Sequence, residues 1–202
     1  MKKRIGVVIF VFVLLFVSIL AYNTFATDKN NKGVKKIATE WGEYLSSQFY
    51  QKDVKSSNTT NDDQKMEQVI KFYEIQGYNK KEAQKLAADY VEESDAIYQK
   101  AIEAGIRVTD DEVAAEVESI KQLYHSADLD EISKEQMEAI ISTFKSEEDY
   151  WEYEREVYQT LLVSQKYVNT ILEDFFTSHP EASYADWSAY FEDWKDQLIA
   201  DQ

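Results

Sequence analysis

Cysteine is missing from all 202 residues, which excludes disulfides, thiol catalysis, thiolate metal sites and a lipidated N-terminal cysteine. One proline and five glycines leave little material for the tight turns of a sheet-rich fold, so helix is the favoured class. Basic residues are scarce: 22 Lys and Arg stand against 38 Asp and Glu, a net charge of −16. Such a surface repels phosphate backbones, which argues against nucleic acid as a partner, and it keeps the chain soluble. The glycine-rich patterns that cradle nucleotides (GxGxxG, or GxxxxGK before Ser or Thr) are absent, as are HExxH and GxSxG. No cofactor is therefore expected.

What is present suits a folded, helical protein of one domain. Hydrophobic residues make up 44% of the chain, charged residues 30% and aromatic residues 14%, and so many aromatics do not fit a chain that buries nothing. The one long apolar run, residues 5–21, follows Lys2, Lys3 and Arg4 and precedes a polar exit. These are the parts of an export signal, with the basic start held in the cytoplasm and the remainder translocated. Thr24-Phe25-Ala26 places small residues at −3 and −1 of a cleavage after Ala26. The uncharged stretch from Ile5 to Asp28 is also long enough to span a bilayer uncut. Residues 1–26 thus read as a signal peptide or a signal anchor, with the working part extracytoplasmic, membrane-anchored or secreted. Removing the three positive charges of that leader leaves −19 on the remainder.

Residues 27–63 read as a tether, a first helix over 34–51 and a polar loop. Ile37, Trp41, Tyr44, Leu45 and Phe49 recur at helical spacing, and the Ser, Asn, Thr and Asp of 53–64 break the pattern. Residues 64–202 read as a multi-helix domain. A helix over 66–76 ends at Gly77, and Asn79 with Glu82 opens the next as a capping box. Gly105 ends that helix, and Thr109 with Glu112 opens another, whose buried face is Val113, Val117, Ile120 and Tyr124. Ser133 with Gln136 predicts a short helix through Phe144, Ser146 with Asp149 a long one over 147–176, and Ser183 with Asp186 a last one to about Ala200. Six or seven helices result, in an all-α arrangement.

The corner "AIEAGIRVTDDEV" carries a resemblance. Ala101, Ala104, Gly105, Ile106, Val108, Thr109, Asp110, Glu112 and Val113 match a turn in which a helix ends on Ala and Gly and Ile-x-Val-Thr-Asp-x-Glu-Val starts the next. Upstream "QGYNKKEA" resembles the turn into the first of these helices, and downstream "FKSEEDYWEYEREVYQTLLVSQKYV" is similar to a closing helix. Together they resemble the N-terminal helical domain of SurA- and PrsA-type chaperones over residues 66–168. The resemblance implies an orthogonal helical bundle that binds unfolded or exported polypeptides without ATP. Two departures stand out. The family's opening Val-Asn-Gly strand and turn has no good match here. A parvulin prolyl-isomerase domain follows in many members and needs a four-stranded sheet, glycine-rich turns and pocket histidines, whereas residues 169–202 hold no glycine and one histidine. Isomerase activity is not expected to carry over.

The candidate client-binding residues are aromatic. Trp187, Tyr190, Phe191, Trp194 and Leu198 fall on one face of the last helix. Tyr150, Trp151, Tyr153 and Tyr158 crowd the start of the long one, and because Tyr150, Trp151 and Tyr153 cannot all face one core, at least one should be exposed or bound to something. Aromatic faces grip many sequences at low side-chain entropy cost, although packing on each other as core is the ordinary use of such faces. His125 and His179 fall at helix ends, where a last-turn role is ordinary. The clusters Asp110-Asp111-Glu112, Asp128 to Glu131 and Glu147-Glu148-Asp149 read as solvated helix starts, with no metal site and no catalytic pair marked out. The expected function is a holdase. The alternative is an anchored protein that binds one folded envelope or sporulation partner, with an enzyme third.

Overall fold

Polar caps set where the helices begin. The computed structural model describes residues 31–51 and 61–200; the leader with its apolar run, the Ala26 site and the loop 52–60 lie outside them. Seven helices and no strand occur among the described residues: α1 Asn31–Gln51, α2 Asn61–Ile75, α3 Lys80–Glu103, α4 Asp110–His125, α5 Glu131–Ile141, α6 Glu147–Ser178 and α7 Tyr184–Ala200. None of them is long and apolar enough to cross a membrane.

The capping boxes of α3 and α4 form as the sequence implies. Asn79 accepts from the Lys81 and Glu82 amides while Glu82 reaches back to the Asn79 amide. Thr109 accepts from the Glu112 amide, and the Glu112 carboxylate accepts from the Thr109 amide at 2.9 Å. Gly77 and Gly105 adopt φ of 99° and 78°, where a Cβ would be strained. At Gly105 the Ile106 amide donates to Ala101 O and the Gly105 amide to Ile102 O, the paired closure of a Schellman motif.

Three starts differ from expectation. α1 begins at Asn31, three residues before the expected 34–51. α2 begins at Asn61, five residues before the 66–76 forecast. α5 is capped by Asp130, not Ser133: the Asp130 carboxylate accepts from the Ser133 amide at 2.9 Å. Both residues are good caps, but the earlier one leaves Ser133 and Gln136 inside the helix, where both are buried. α5 accordingly ends at Ile141, and Phe144 enters the core from the turn that follows.

The principal core joins α1, α4, α5 and the first half of α6. Ala38, Trp41 and Leu45 of α1 meet Ile140 and Ile141 of α5, Val113, Val117 and Ile120 of α4, and Tyr150, Trp151, Tyr158 and Leu162 of α6. Each such apolar side chain, fully buried, contributes about 1.5–3 kcal/mol. Gly42 makes the α1–α5 contact possible, because a Cβ there would lie 2.8 Å from the Ile140 Cα. α3 brings Val91 and Ile97 inward together with Ala83, Ala87, Ala96 and Ala101, small residues that let α2 and α6 approach closely. α6, 32 residues and about 48 Å long, runs beyond the principal core. On its far half Val168 joins Ala96 and Ile97 of α3 and Leu198 of α7 in a second, smaller cluster.

Candidate functional site

The eight aromatic candidates separate into two groups at opposite ends of α6. Tyr150, Trp151 and Tyr158 are buried and Tyr153 is partly buried against the same core, so the expected exposed member of the first trio does not exist. One facing surface could not hold all three rings, but the start of α6 is wrapped from several sides. Trp151, 3% exposed, packs on Tyr124 of α4 and donates its indole N–H to Glu147 at 2.8 Å. Tyr150 packs on Phe144, while Tyr153 meets Phe49 of α1 and accepts from Gln68 of α2 at 3.3 Å.

Glu154, which sequence reasoning missed, sits among these rings. Loss of water around its carboxyl raises the pKa to about 7, against the counter-pull of the Tyr150 hydroxyl that donates to it. Burial first, and the Glu154 charge second, push Tyr150, Tyr153 and Tyr158 well above the usual phenol range. Nothing local in "YWEYEREVY" marks Glu154 apart from its neighbours, because its surroundings come from tertiary packing.

The second group forms a continuous ladder on the outer half of α6 and on α7. Trp194 stacks on Phe191 (5.4 Å between centroids, 10° between planes) and Phe191 on Trp187 (5.1 Å, 21°). Phe175 of α6 lies 5.6 Å from Trp187 and 4.8 Å from Tyr190, and Phe176 continues to Tyr184 at 5.4 Å. Trp187, Phe191 and Trp194 are half-buried against Tyr167, Val168 and α3. Tyr190 is 41% and Tyr184 55% exposed. Phe176 and Tyr184 belong to this surface, and Phe175 is buried beneath it; none was singled out from the sequence, although "FF" in the last turns of a long helix was a readable sign.

Around the ladder acidic charge dominates. Residues 167–200 contain Glu173, Asp174, Glu181, Asp186, Glu192, Asp193 and Asp196, all exposed, and a single Lys. That residue, Lys195, is 3.0 Å from both Glu93 and Glu192, with its ammonium 5.5 Å from the Phe191 ring centre. Hydrogen bonds from Ser183 hold Asp186 below the usual carboxylate range.

The remaining polar candidates are engaged in structure. His125 pairs with Glu147 at 2.9 Å, and His179 stacks on Phe175 with its Nδ1 3.1 Å from that residue's carbonyl. They lie at separate helix ends, and no group of His, Asp and Glu among the described residues is arranged to hold a metal. All three acidic clusters stand at helix starts. Glu112, held down to about 2 by Lys166 and then by the Thr109 amide, ties the Gly105 corner to α6. Lys166 also donates to Arg107 O at 3.1 Å. Beside that corner lies an open depression of about 390 Å³ lined by Ile106, Arg107, Lys166, Asn169, Thr170 and Glu173. Its two cations are already spent, since Arg107 donates to Ile102 O and Ile106 O.

Comparison with family models, with curated proteins and with solved structures finds no match to the chain.

Proposed function

We propose that the chain is an extracytoplasmic, ATP-independent holdase, built on a helical bundle like the N-terminal domain of SurA- and PrsA-type chaperones and lacking an isomerase domain. The observation that carries this reading is the α6–α7 aromatic ladder, which offers stacked, partly uncovered rings over several helical turns on an otherwise strongly acidic exterior. Stacked rings bind apolar segments of many sequences with little ordering cost, and the charge around them keeps a loaded complex in solution. The quoted Gly105 corner and its flanking turns support the family likeness. Among the eight candidates, Trp187, Tyr190, Phe191 and Trp194 are assigned to binding, while Tyr150, Trp151, Tyr153 and Tyr158 are assigned to stability. The export leader in residues 1–26 supports a place outside the cytoplasm, on the membrane or released from it.

The compactness of the ladder, one patch on one helix pair, also favours a second reading: docking of one folded envelope partner. The two differ in stoichiometry and breadth. The test is refolding of a chemically unfolded secreted protein, followed by light scattering, with the full chain and no nucleotide. Suppressed scattering, weakened by Tyr184→Ser with Tyr190→Ser, is expected. No suppression at several-fold excess would overturn the holdase reading and leave the single-partner one.

A further inference from the structure

The ladder's charge determines what kind of segment it takes. On α7, Asp186, Tyr190 and Asp193 stand at i, i+4 and i+7, so the exposed Tyr190 ring lies on one stripe between two exposed carboxylates. Trp187 and Phe175 back that ring, with centroids 5.9 and 4.8 Å from it. The protein already shows how such a combination treats a cation. Lys195 lies over Phe191 and between Glu93 and Glu192, its side chain only 13% exposed, and it stays charged there: burial opposes the charge, but the two carboxylates raise the pKa above the ordinary lysine value. An ammonium or guanidinium is thus accommodated where ring faces and carboxylates meet. The Asp186–Tyr190–Asp193 stripe has the same ingredients, and Lys195, the only Lys or Arg of residues 167–200, is held elsewhere.

We infer that the ladder selects polypeptide segments in which Lys or Arg alternates with aliphatic or aromatic residues. The apolar side chains lie along Phe176, Tyr184, Trp187 and Tyr190, and the cations fall to Asp186, Asp193 and the neighbouring carboxylates. This deepens the holdase reading and rests on it. A second copy of the chain fits poorly, because it carries the same acidic surface and a net charge of −16. An anionic lipid surface is repelled for the same reason.

The test uses the full chain and three fluorescein-labelled peptides with the same leucines and phenylalanines and with Lys, Ser or Glu at the intervening positions. Anisotropy is read at low and at moderate salt. The Lys peptide is expected to bind at least about tenfold tighter than the Glu peptide, with that advantage shrinking as salt rises. Asp186→Asn with Asp193→Asn should remove most of the preference while leaving the Ser peptide's affinity in place, and Tyr184→Ser with Tyr190→Ser should weaken all three. Circular dichroism melts confirm that the variants fold. Equal binding of the three peptides overturns the charge selectivity and leaves the holdase reading standing. A Lys preference untouched by both variants places it elsewhere on the surface and overturns this site. Binding of none of the peptides removes the holdase reading together with the inference.

Discussion

The two halves of α6 use the same kind of residue to opposite ends. In the first half, Tyr150, Trp151 and Tyr158 are closed in by α4, α5 and α1. In the second half, the buried Phe175 and its neighbour Phe176 meet rings of α7, a helix with one buried residue, Leu198, and the rings spread outward to Tyr184 and Tyr190. The difference lies in the number of covering elements rather than in composition. An aromatic-rich stretch becomes core when several helices close over it and becomes a surface where its outermost rings are left uncovered.

The sharpest way to break that contrast is to remove one tryptophan from each half. Trp151→Ala should cost about 3–5 kcal/mol by urea unfolding, since it leaves a cavity and frees Glu147 of its indole partner. Trp187→Ala, at a half-buried site, should cost less than half as much. A comparable loss at both would mean that the α7 end is core as well. Next in size is Gly42→Ala, in which the added methyl meets the Ile140 backbone, which cannot yield, as well as the Thr143 hydroxyl. A loss of about 2–3 kcal/mol is expected in the same unfolding experiment, because α1 and α5 must move apart.

Glu154 sharpens the comparison by pH. The folded protein keeps the Glu154 proton up to about pH 7, while the unfolded chain gives it up near 4.5. Between those values the native state binds more protons, so stability falls as pH rises through that window and levels off above it. Allowing for partial solvent screening, the drop is about 1–2 kcal/mol. Glu154→Gln should flatten most of it in thermal melts from pH 5 to 8, with a smaller slope left by Glu116, whose pKa burial also raises. An unchanged slope would place the titration elsewhere. Smallest in stability is Tyr184→Ser, expected to shift unfolding by no more than about 0.5 kcal/mol because the ring is mostly in solvent. A large loss there would remove the distinction between the two ends.

Local chemistry was readable from the sequence. The caps at Asn79, Thr109 and Ser146, the glycine closures at 77 and 105 and the Ser183–Asp186 start all depend on residues within a few positions of one another. Asp130 against Ser133 was ambiguous because two competent caps lie three residues apart. The role of each aromatic cluster was not readable, since "DYWEYEREVY" and "YADWSAYFEDW" look alike until the number of covering helices is known. Glu154 was hidden for the same reason. One carboxylate in a run of several acquires its character only from rings brought to it by the fold.

Tyr50 bears on the order in which the molecule can be completed. It lies at the end of α1, donates to Asp149 and accepts from the Lys145 amide, 99 and 95 residues further along. A chain made from its N-terminus carries Leu45 and Phe49 without their later partners, and Trp41 with Phe72 of α2 beside it, until α5 and the start of α6 exist. Contacts of that span close slowly and leave apolar surface open to neighbouring chains meanwhile. For most of its own synthesis the polypeptide is therefore the kind of sticky, unfinished segment that a holdase shields, and its first helix is settled only after its sixth has begun.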